Sequence, residues 1–154
     1  MKEITIYTDG ACSGNPGRGG WAAILFCGEH SKEISGAEIE TTNNRMELQA
    51  VIEALRILKY PSNVRVFSDS AYVVNAFLQK WIDNWIKNNW ITGSKKAVLN
   101  KDLWLELVRL MKIHNVSFVK VAGHSDNEFN NKCDYLARSA IKNMELPNGN
   151  AAEM

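Results

Sequence analysis

The chain has 154 residues, which is enough for one domain with a single hydrophobic core. Hydrophobic residues make up 45% and charged residues 23%, as in soluble globular proteins, and the absence of a long apolar run excludes a membrane-spanning helix. The net charge of +1 argues neither for nor against a nucleic-acid partner until its distribution along the chain is considered.

The N-terminal segment and the cysteines predict a cytoplasmic location. Residues 1–7 enter a strand pattern at once, without the charged and apolar regions of a signal peptide. Cys12, Cys27 and Cys133 have neither CxxC spacing nor nearby histidine pairs that would complete a zinc site. We therefore expect free thiols in a reducing compartment.

Three strands and one long helix are predicted in the first part of the chain. Residues 2–9 alternate with period two, residues 21–27 are apolar, and residues 30–40 mix β-forming with polar residues. These three segments predict an antiparallel meander. Apolar residues at helical spacing then predict an amphipathic helix over 42–58, and Pro61 breaks the chain after it.

A glycine-rich run, Gly10–Gly20, lies between the first two predicted strands. It lacks the Gly-Lys-Ser/Thr ending of a phosphate-binding loop, and a strand from Trp21 follows it where such a loop would open a helix. We interpret the run as a wide hairpin connection, in which the missing side chains would let backbone approach a ligand closely.

Two further strands and four helices are predicted in the second part. The strands cover 64–68 and 116–121, and the helices cover 70–78, 81–88, 100–113 and 127–143. The element order βββαβαααβα implies an α/β protein with a mixed sheet covered by helices. Residues 1–143 are predicted to form one folded domain, and residues 144–154 lack periodicity and are predicted to be a disordered tail.

Four carboxylates stand in distinctive settings. Asp9 ends a β-patterned run, Glu47 lies near a helix start and Asp69 follows a strand. Asp134 lies in a helix, ten residues after His124. Two carboxylates about 4 Å apart repel by roughly 4 kcal/mol at an effective dielectric near 20, so four that converge would require cations or protons. This pattern suggests a metal-dependent hydrolase.

Each carboxylate also has an ordinary structural explanation. Asp9 could belong to a hairpin turn, Glu47 could complete a capping box and Asp69 could cap the following helix. Asp134 could pair with Arg138 one helical turn later. Taken singly, these explanations are favoured; the joint pattern favours a common site.

Positive charge is concentrated between Lys80 and Lys101. Five lysines against one aspartate give this segment +4, so the rest of the chain sums to −3. Trp81, Trp85 and Trp90 are interleaved with these lysines and could either pack into the core or face a ligand.

Several motifs between residues 4 and 141 carry a resemblance to a known family. They are Tyr7-Thr8-Asp9-Gly10-Ala11-Cys12, Gly14-Asn15-Pro16-Gly17, Thr42-Asn43-Asn44-Arg45-Met46-Glu47, Ser68-Asp69-Ser70, the tryptophans at 81, 85, 90 and 104, Val121-Ala122-Gly123-His124, Asn130 and Cys133-Asp134. The chain resembles type 1 ribonuclease H, an endonuclease that cuts the RNA strand of an RNA/DNA hybrid. The resemblance implies a ribonuclease H-like fold with a five-stranded mixed sheet in the order 3-2-1-4-5, flanked by helices.

The resemblance also implies a two-metal active site. The family residues that match Asp9, Glu47, Asp69 and Asp134 bind two divalent ions, usually Mg²⁺, with Mn²⁺ as a substitute, and the products carry 5′-phosphate and 3′-hydroxyl ends. Magnesium prefers such oxygen ligands, and a metal pair suits phosphodiester hydrolysis. The residue that matches His124 assists proton transfer or product release from a mobile loop.

Substrate contacts are implied at a second group of residues. Asn15, Asn43, Asn44 and the backbone of Cys12 match residues that read the 2′-hydroxyls of the RNA strand, and Thr42 matches a residue that holds a DNA phosphate. Turn formation and helix capping are compatible alternatives for the same residues.

The segment around Trp81, Trp85 and Lys87 resembles the family's basic protrusion, which grips the DNA strand. Residues 85–91 carry apolar and amide side chains where lysine or arginine often stands, so we expect weaker and less salt-sensitive hybrid binding. Three further positions depart from common family residues, which leaves the kinetics of the His124 loop open: Ala71, Asp126 and Glu128.

The expected partner is an RNA/DNA hybrid, and we expect a monomer with no membrane association and no obligate protein partner. A noncatalytic hybrid-binding module of the same fold is the alternative, although binding alone would not require all four carboxylates. A DNA strand-transfer enzyme would normally need additional domains, for which 154 residues leave no room.

Overall fold

A five-stranded mixed sheet forms the centre of the protein. The computed structural model describes residues 1–122 and 127–145. The strands are β1 (Lys2–Gly14), β2 (Gly17–Cys27), β3 (His30–Thr41), β4 (Ser62–Ser68) and β5 (Asn115–Lys120). Their order in the sheet is β3-β2-β1-β4-β5, which confirms the predicted order. The β1–β2 and β2–β3 pairs are antiparallel, and the β1–β4 and β4–β5 pairs are parallel.

Five helices accompany the sheet in the described residues. They are α1 (Asn43–Arg56), α2 (Ala71–Leu78), α3 (Trp81–Lys87), α4 (Lys101–Met111) and α5 (Glu128–Glu145). The predicted element order is confirmed, and outside the first hairpin each predicted boundary lies within 2 residues of the observed one.

Polar side chains define where two of the helices begin. The Thr42 hydroxyl accepts a hydrogen bond from the Arg45 N–H at 3.3 Å, and the Ser70 hydroxyl accepts one from the Val73 N–H at 3.2 Å. Helix α5 continues to Glu145, so the first two residues of the predicted tail are helical, while residues 146–154 lie outside the described part. No helix within the described ranges is long and apolar enough to cross a membrane.

The two faces of the sheet are covered by different helices, because side chains alternate along a strand. Ile4 and Ile6 of β1 belong to the main core, with buried residues of α1, α2 and α4. Tyr7 faces the other way, and its ring lies 5.2 Å from that of Phe129 in α5. Alanines of β1 and β2 form a smaller cluster with α5 on the same side.

The glycine-rich run is a tight hairpin, and the predicted wide connection is wrong. Strand β1 continues to Gly14 and β2 begins at Gly17, so only two residues form the turn. Two of the glycines, Gly10 and Gly20, lie within the strands at points where a helix passes close to them. A Cβ on Gly20, for example, would overlap the carbonyl oxygen of Ala137 in α5.

Candidate active site

Three of the predicted carboxylates meet where β1, β4 and α1 come together. The parallel register pairs Tyr7 with Phe67, so Asp9 and Asp69, each two residues further along, lie side by side. Glu47 reaches them from α1. One carboxylate oxygen from each of the three residues lies within 4.8 Å of the others. The sequence predicted this convergence only from the four carboxylates considered together, because each one alone had an ordinary structural explanation.

Close approach of α1 to β1 makes the convergence possible. A Cβ on Gly10 would lie 2.5 Å from the Glu47 nitrogen and 2.6 Å from the Met46 carbonyl carbon, well inside van der Waals contact. Only glycine at this position lets α1 lie so near the strand that carries Asp9.

Asp134 of α5 joins the group from the other face of the sheet. Asp134 and Asp9 line one cleft with Glu47 and Asp69, and the charge of Asp134 contributes to the raised pKa of Asp9. Nε of Arg138 donates to both Asp134 oxygens at 3.0 Å. The structure therefore brings all four predicted carboxylates together, and we call Asp9, Glu47, Asp69 and Asp134 the carboxylate cluster.

Burial and nearby negative charge make Asp9 and Glu47 hold protons strongly when no cation is bound. Asp9 is 4% exposed, and burial, followed by the charges of Asp69 and Asp134, raises its pKa to about 8. Burial also raises the pKa of Glu47 well above its usual value, and the charges of Asp9 and Asp69 add to the effect. Protons or cations must therefore neutralise these two buried carboxylates at neutral pH.

The donor set fits a hard divalent cation. Oε1 of Glu47 is buried and has no hydrogen-bond partner among the described residues, which is costly unless another group, such as a cation, binds it. All the converging donors are carboxylate oxygens, the ligands that Mg²⁺ and Mn²⁺ prefer.

Three of the four ordinary explanations for these carboxylates are wrong. Asp9 lies inside paired strands, where it faces Ala22, so it is not a turn residue. Thr42 and Ser70 cap α1 and α2, so neither Glu47 nor Asp69 has that role. The fourth explanation, the ion pair between Asp134 and Arg138, is confirmed, and it coexists with membership of the carboxylate cluster.

The predicted 2′-hydroxyl contacts form a patch beside the carboxylate cluster. Asn15 lies in the β1–β2 turn, and its Oδ1 accepts a hydrogen bond from the Asn43 N–H at 3.1 Å. Asn43 and Cys12 line the same cleft as the carboxylates, and Asn44 follows in the exposed first turn of α1. Thr42 precedes these residues as the helix cap. The structure therefore brings this group together, although the chain positions of its two parts differ by about thirty residues.

The predicted DNA-strand contacts lie elsewhere. Trp81, Trp85 and Lys87 belong to α3 and do not line the carboxylate cleft. Trp85 packs against Trp104 of α4, with ring centroids 5.4 Å apart, whereas Lys87 is exposed. Packing into the core thus explains Trp85, whereas the lysines of this segment face solvent.

His124 and Asp126 lie outside the described residues, so the predicted proton-transfer role has no structural counterpart in the described part. Glu128 lies in the first turn of α5 and is exposed.

Three features of the site and its surroundings were not predicted from the sequence. One is the close contact at Gly10, which a glycine inside a strand pattern could have indicated. The second is the ion pair between Arg45 and Asp102, which no local pattern indicates because the two residues are 57 positions apart. The third is Ser13, which also lines the cleft.

The raised pKa of Asp9 gives a testable pH dependence. Between its ordinary pKa of 3.8 and the folded value of about 8, the unfolded chain loses the proton that the folded chain keeps. The metal-free protein should therefore lose stability as the pH rises through this range, by at most about 1.4 kcal/mol per pH unit for each such proton. Melting temperatures measured in chelator between pH 4 and 9 check this expectation.

In an Asp9→Asn variant, the melting temperature in chelator should fall less steeply as the pH rises. At pH 8 it should be no lower than that of the wild type. Glu29→Gln, at an exposed turn position, is the matched control and should follow the wild-type curve. A clear drop in the melting temperature of Asp9→Asn would show that the Asp9 carboxylate is needed for structural hydrogen bonds instead.

Comparisons with known proteins agree with one another. The family model described as RNase H matches residues 1–142. Ribonuclease H of Acetivibrio thermocellus is 61% identical over 142 residues, covering 92% of this chain and 97% of that protein. Ribonuclease H of Chlorobaculum parvum is 62% identical over 141 residues, with the same coverage of 92% and 97%.

Solved structures are also similar. The crystal structure of LC9-RNase H1, a type 1 RNase H with the type 2 active-site motif, has a TM-score of 0.83 at 28% identity, covering 93% of this chain and 74% of that chain. The structure of LC11-RNase H1 in complex with RNA/DNA hybrid has a TM-score of 0.68 at 25% identity, covering 92% and 98%.

Proposed function

The chain belongs to the ribonuclease H family, and from this premise we propose that it hydrolyses the RNA strand of RNA/DNA hybrids at the carboxylate cluster. One observation carries the assignment of the site: oxygens of Asp9, Glu47 and Asp69 lie within 4.8 Å of one another, in a cleft that Asp134 shares. A protein that only bound hybrids would have no use for so much buried negative charge. LC11-RNase H1, a structural relative, has been solved with an RNA/DNA hybrid, which supports the substrate class.

We propose Mg²⁺ as the ion, with Mn²⁺ as a substitute, held by the four residues of the carboxylate cluster. The buried, unpartnered Oε1 of Glu47 and the all-oxygen donor set support this choice. When bound, a pair of divalent ions would activate the attacking water and stabilise the departing oxygen, to give 5′-phosphate and 3′-hydroxyl ends.

The chain's own groups would bind and orient the RNA strand. The patch formed by Cys12, Asn15, Asn43 and Asn44 presents amide and backbone groups beside the cleft, and such groups can read 2′-hydroxyls without reading base sequence. The hydrogen bond between Asn15 and Asn43 holds the hairpin turn against the start of α1. Thr42, at the same helix start, is the proposed contact to a DNA phosphate.

The DNA strand would contact the basic segment Lys80–Lys101 through exposed lysines such as Lys87. Trp81 and Trp85 are proposed to support this surface, since both are half-buried and pack against each other at 6.3 Å. His124 is proposed to have an auxiliary role in proton transfer.

Location and assembly are proposals of the same kind. Cys12, Cys27 and Cys133 are free thiols, which supports a reducing compartment and hence the cytoplasm. We also propose that the enzyme acts as a monomer without an obligate protein partner.

Digestion of matched substrates tests the function. We expect cleavage of an RNA/DNA hybrid in Mg²⁺ or Mn²⁺, no cleavage in chelator, and little or none of duplex RNA or duplex DNA of the same sequence. The reason is that the proposed contacts need 2′-hydroxyls on one strand and a DNA backbone on the other. Labelled RNA ends resolved on a denaturing gel provide the measurement. Retained hybrid binding without cleavage in either ion would favour the noncatalytic module, and preferred cleavage of duplex DNA would favour strand-transfer chemistry.

A further inference from the structure

Arg45 joins the first turn of α1 to the first turn of α4. Its Nη1 and Nη2 donate to the two carboxylate oxygens of Asp102 at 3.0 and 2.8 Å, and Nη1 also donates to Oδ1 of Asn100 at 3.3 Å. A two-pronged ion pair of this kind fixes orientation as well as distance. The Arg45 guanidinium also lowers the pKa of the Asp102 carboxyl, so the pair is ionised at neutral pH.

The same network reaches α2. Nδ2 of Asn100 donates to the Tyr72 hydroxyl at 3.1 Å, and Nε1 of Trp104 donates to the same oxygen at 3.0 Å. Tyr72 lies three residues after Asp69, and Arg45 lies two residues before Glu47. Helix α1 carries Glu47, and helix α2 begins just after Asp69. Hydrogen bonds therefore link the starts of both helices to the start of α4.

Helix α4 in turn supports the basic segment Lys80–Lys101. Trp104 of α4 packs against Trp85, and Trp85 packs against Trp90 at 5.9 Å, so the aromatic part of the segment rests on this helix. Lys87, Lys95 and Lys96 are exposed on the segment. Any shift of α4 relative to α1 would move these lysines relative to the carboxylate cluster.

We propose that the Arg45–Asp102 pair is a positioning element that sets the spacing between the carboxylate cluster and the basic segment. It thereby determines how well a long hybrid fits both surfaces at once. The proposal rests on the proposed function, because it assumes that the RNA strand lies at the cluster and the DNA strand at the segment. Arg45 and Asp102 act through the placement of other groups and are not catalytic residues.

The chain supplies a matched control on the same helix pair. Nε of Arg56 donates to Glu106 at 3.1 Å, which links the far end of α1 to α4 without a bond to the Tyr72 network. Loss of either pair removes an arginine–carboxylate link between α1 and α4, which has two hydrogen bonds at Arg45 and one at Arg56. Only loss of the Arg45–Asp102 pair should change the spacing between the carboxylate cluster and the basic segment.

The experiment compares Arg45→Ala, Asp102→Ala, the double variant, the exchange Arg45→Asp with Asp102→Arg, and Arg56→Ala. Each is tested on a hybrid of about 6 base pairs and on one of about 16 base pairs, a length that spans two minor grooves. Steady-state cleavage in Mg²⁺ gives kcat and KM, and fluorescence anisotropy in chelator gives hybrid affinity without cleavage. Melting temperatures show that each variant is folded.

We expect KM and the dissociation constant for the long hybrid to rise about 3- to 10-fold in both single variants, with kcat within about twofold of wild type. The double variant should be no worse than either single variant, and the exchange should recover part of the loss. The short hybrid and Arg56→Ala should show no change.

Three outcomes would overturn the proposal. Weak binding by Arg45→Ala together with normal binding by Asp102→Ala would make Arg45 a direct phosphate contact. Equal losses on short and long hybrids, or an equal loss in Arg56→Ala, would reduce the pair to ordinary structural support. A wild-type protein that binds the long hybrid more tightly but cuts neither would contradict the proposed function while leaving the positioning inference testable by affinity.

Discussion

Replacing Asp9 by Asn is expected to abolish hybrid cleavage, with kcat reduced at least about 1,000-fold in saturating Mg²⁺. Loss of a single hydrogen-bond donor that stabilises the transition state lowers kcat by about 10²–10³-fold. A larger loss is expected for Asp9, because it is close to all three other carboxylates. It lies beside Asp69, within reach of Glu47, and shares the cleft with Asp134. The substitution keeps the size of the side chain and removes the charge needed to hold divalent ions.

Hybrid binding by Asp9→Asn should remain close to wild type, because the asparagine-rich patch and the basic segment are unchanged. Single-turnover cleavage of an end-labelled hybrid measures the chemical step, and anisotropy in chelator measures affinity. Glu29→Gln, which removes an exposed carboxylate in the β2–β3 turn, is the control and should cleave normally. Cleavage by Asp9→Asn at the wild-type rate would place the active site elsewhere.

Replacing Trp104 by Ala is expected to lower the free energy of unfolding by about 3–5 kcal/mol, the usual cost of deleting a large buried aromatic side chain. Trp104 is fully buried, and its ring contacts those of Tyr72, Phe77 and Trp85. Its Nε1 also donates to the Tyr72 hydroxyl. The substitution would leave a cavity under the basic segment and leave that hydroxyl without one of its donors.

Equilibrium unfolding in guanidinium chloride measures this loss, provided that the transition remains two-state and the m-value is unchanged. Trp104→Phe retains most of the ring packing and should cost less than Trp104→Ala. Trp81→Ala, at a half-buried position of α3, is a matched aromatic control and should also cost less. An equal cost at Trp81 and Trp104 would contradict the view that the core of this region is organised around α4.

Local patterns explain why so much of the fold could be predicted. Period-two alternation and helical spacing depend on residues only two to four positions apart, and they placed all ten elements in order. The first hairpin was the exception. Its glycines suggested a loop, yet they lie in paired strands, and at Gly10 and Gly20 the helices α1 and α5 pass too close for a Cβ.

The N-terminal cap of α2 could not be predicted from local residue types either. Asp69 and Ser70 are both good capping residues, and their types alone do not decide between them. Backbone geometry in the folded chain leaves the Ser70 hydroxyl near the Val73 N–H, which frees Asp69 to face Asp9.

The sequence by itself determined the order of strands and helices, the local concentration of positive charge and the identity of the four carboxylates, since each is a property of residue types and short spacings. Only the tertiary structure decided that these carboxylates, spread from position 9 to position 134, share one cleft, and that Arg45 meets Asp102. Such contacts depend on how the parallel strands and the helices between them pack, and the buried surface that fixes this packing comes from the whole chain at once.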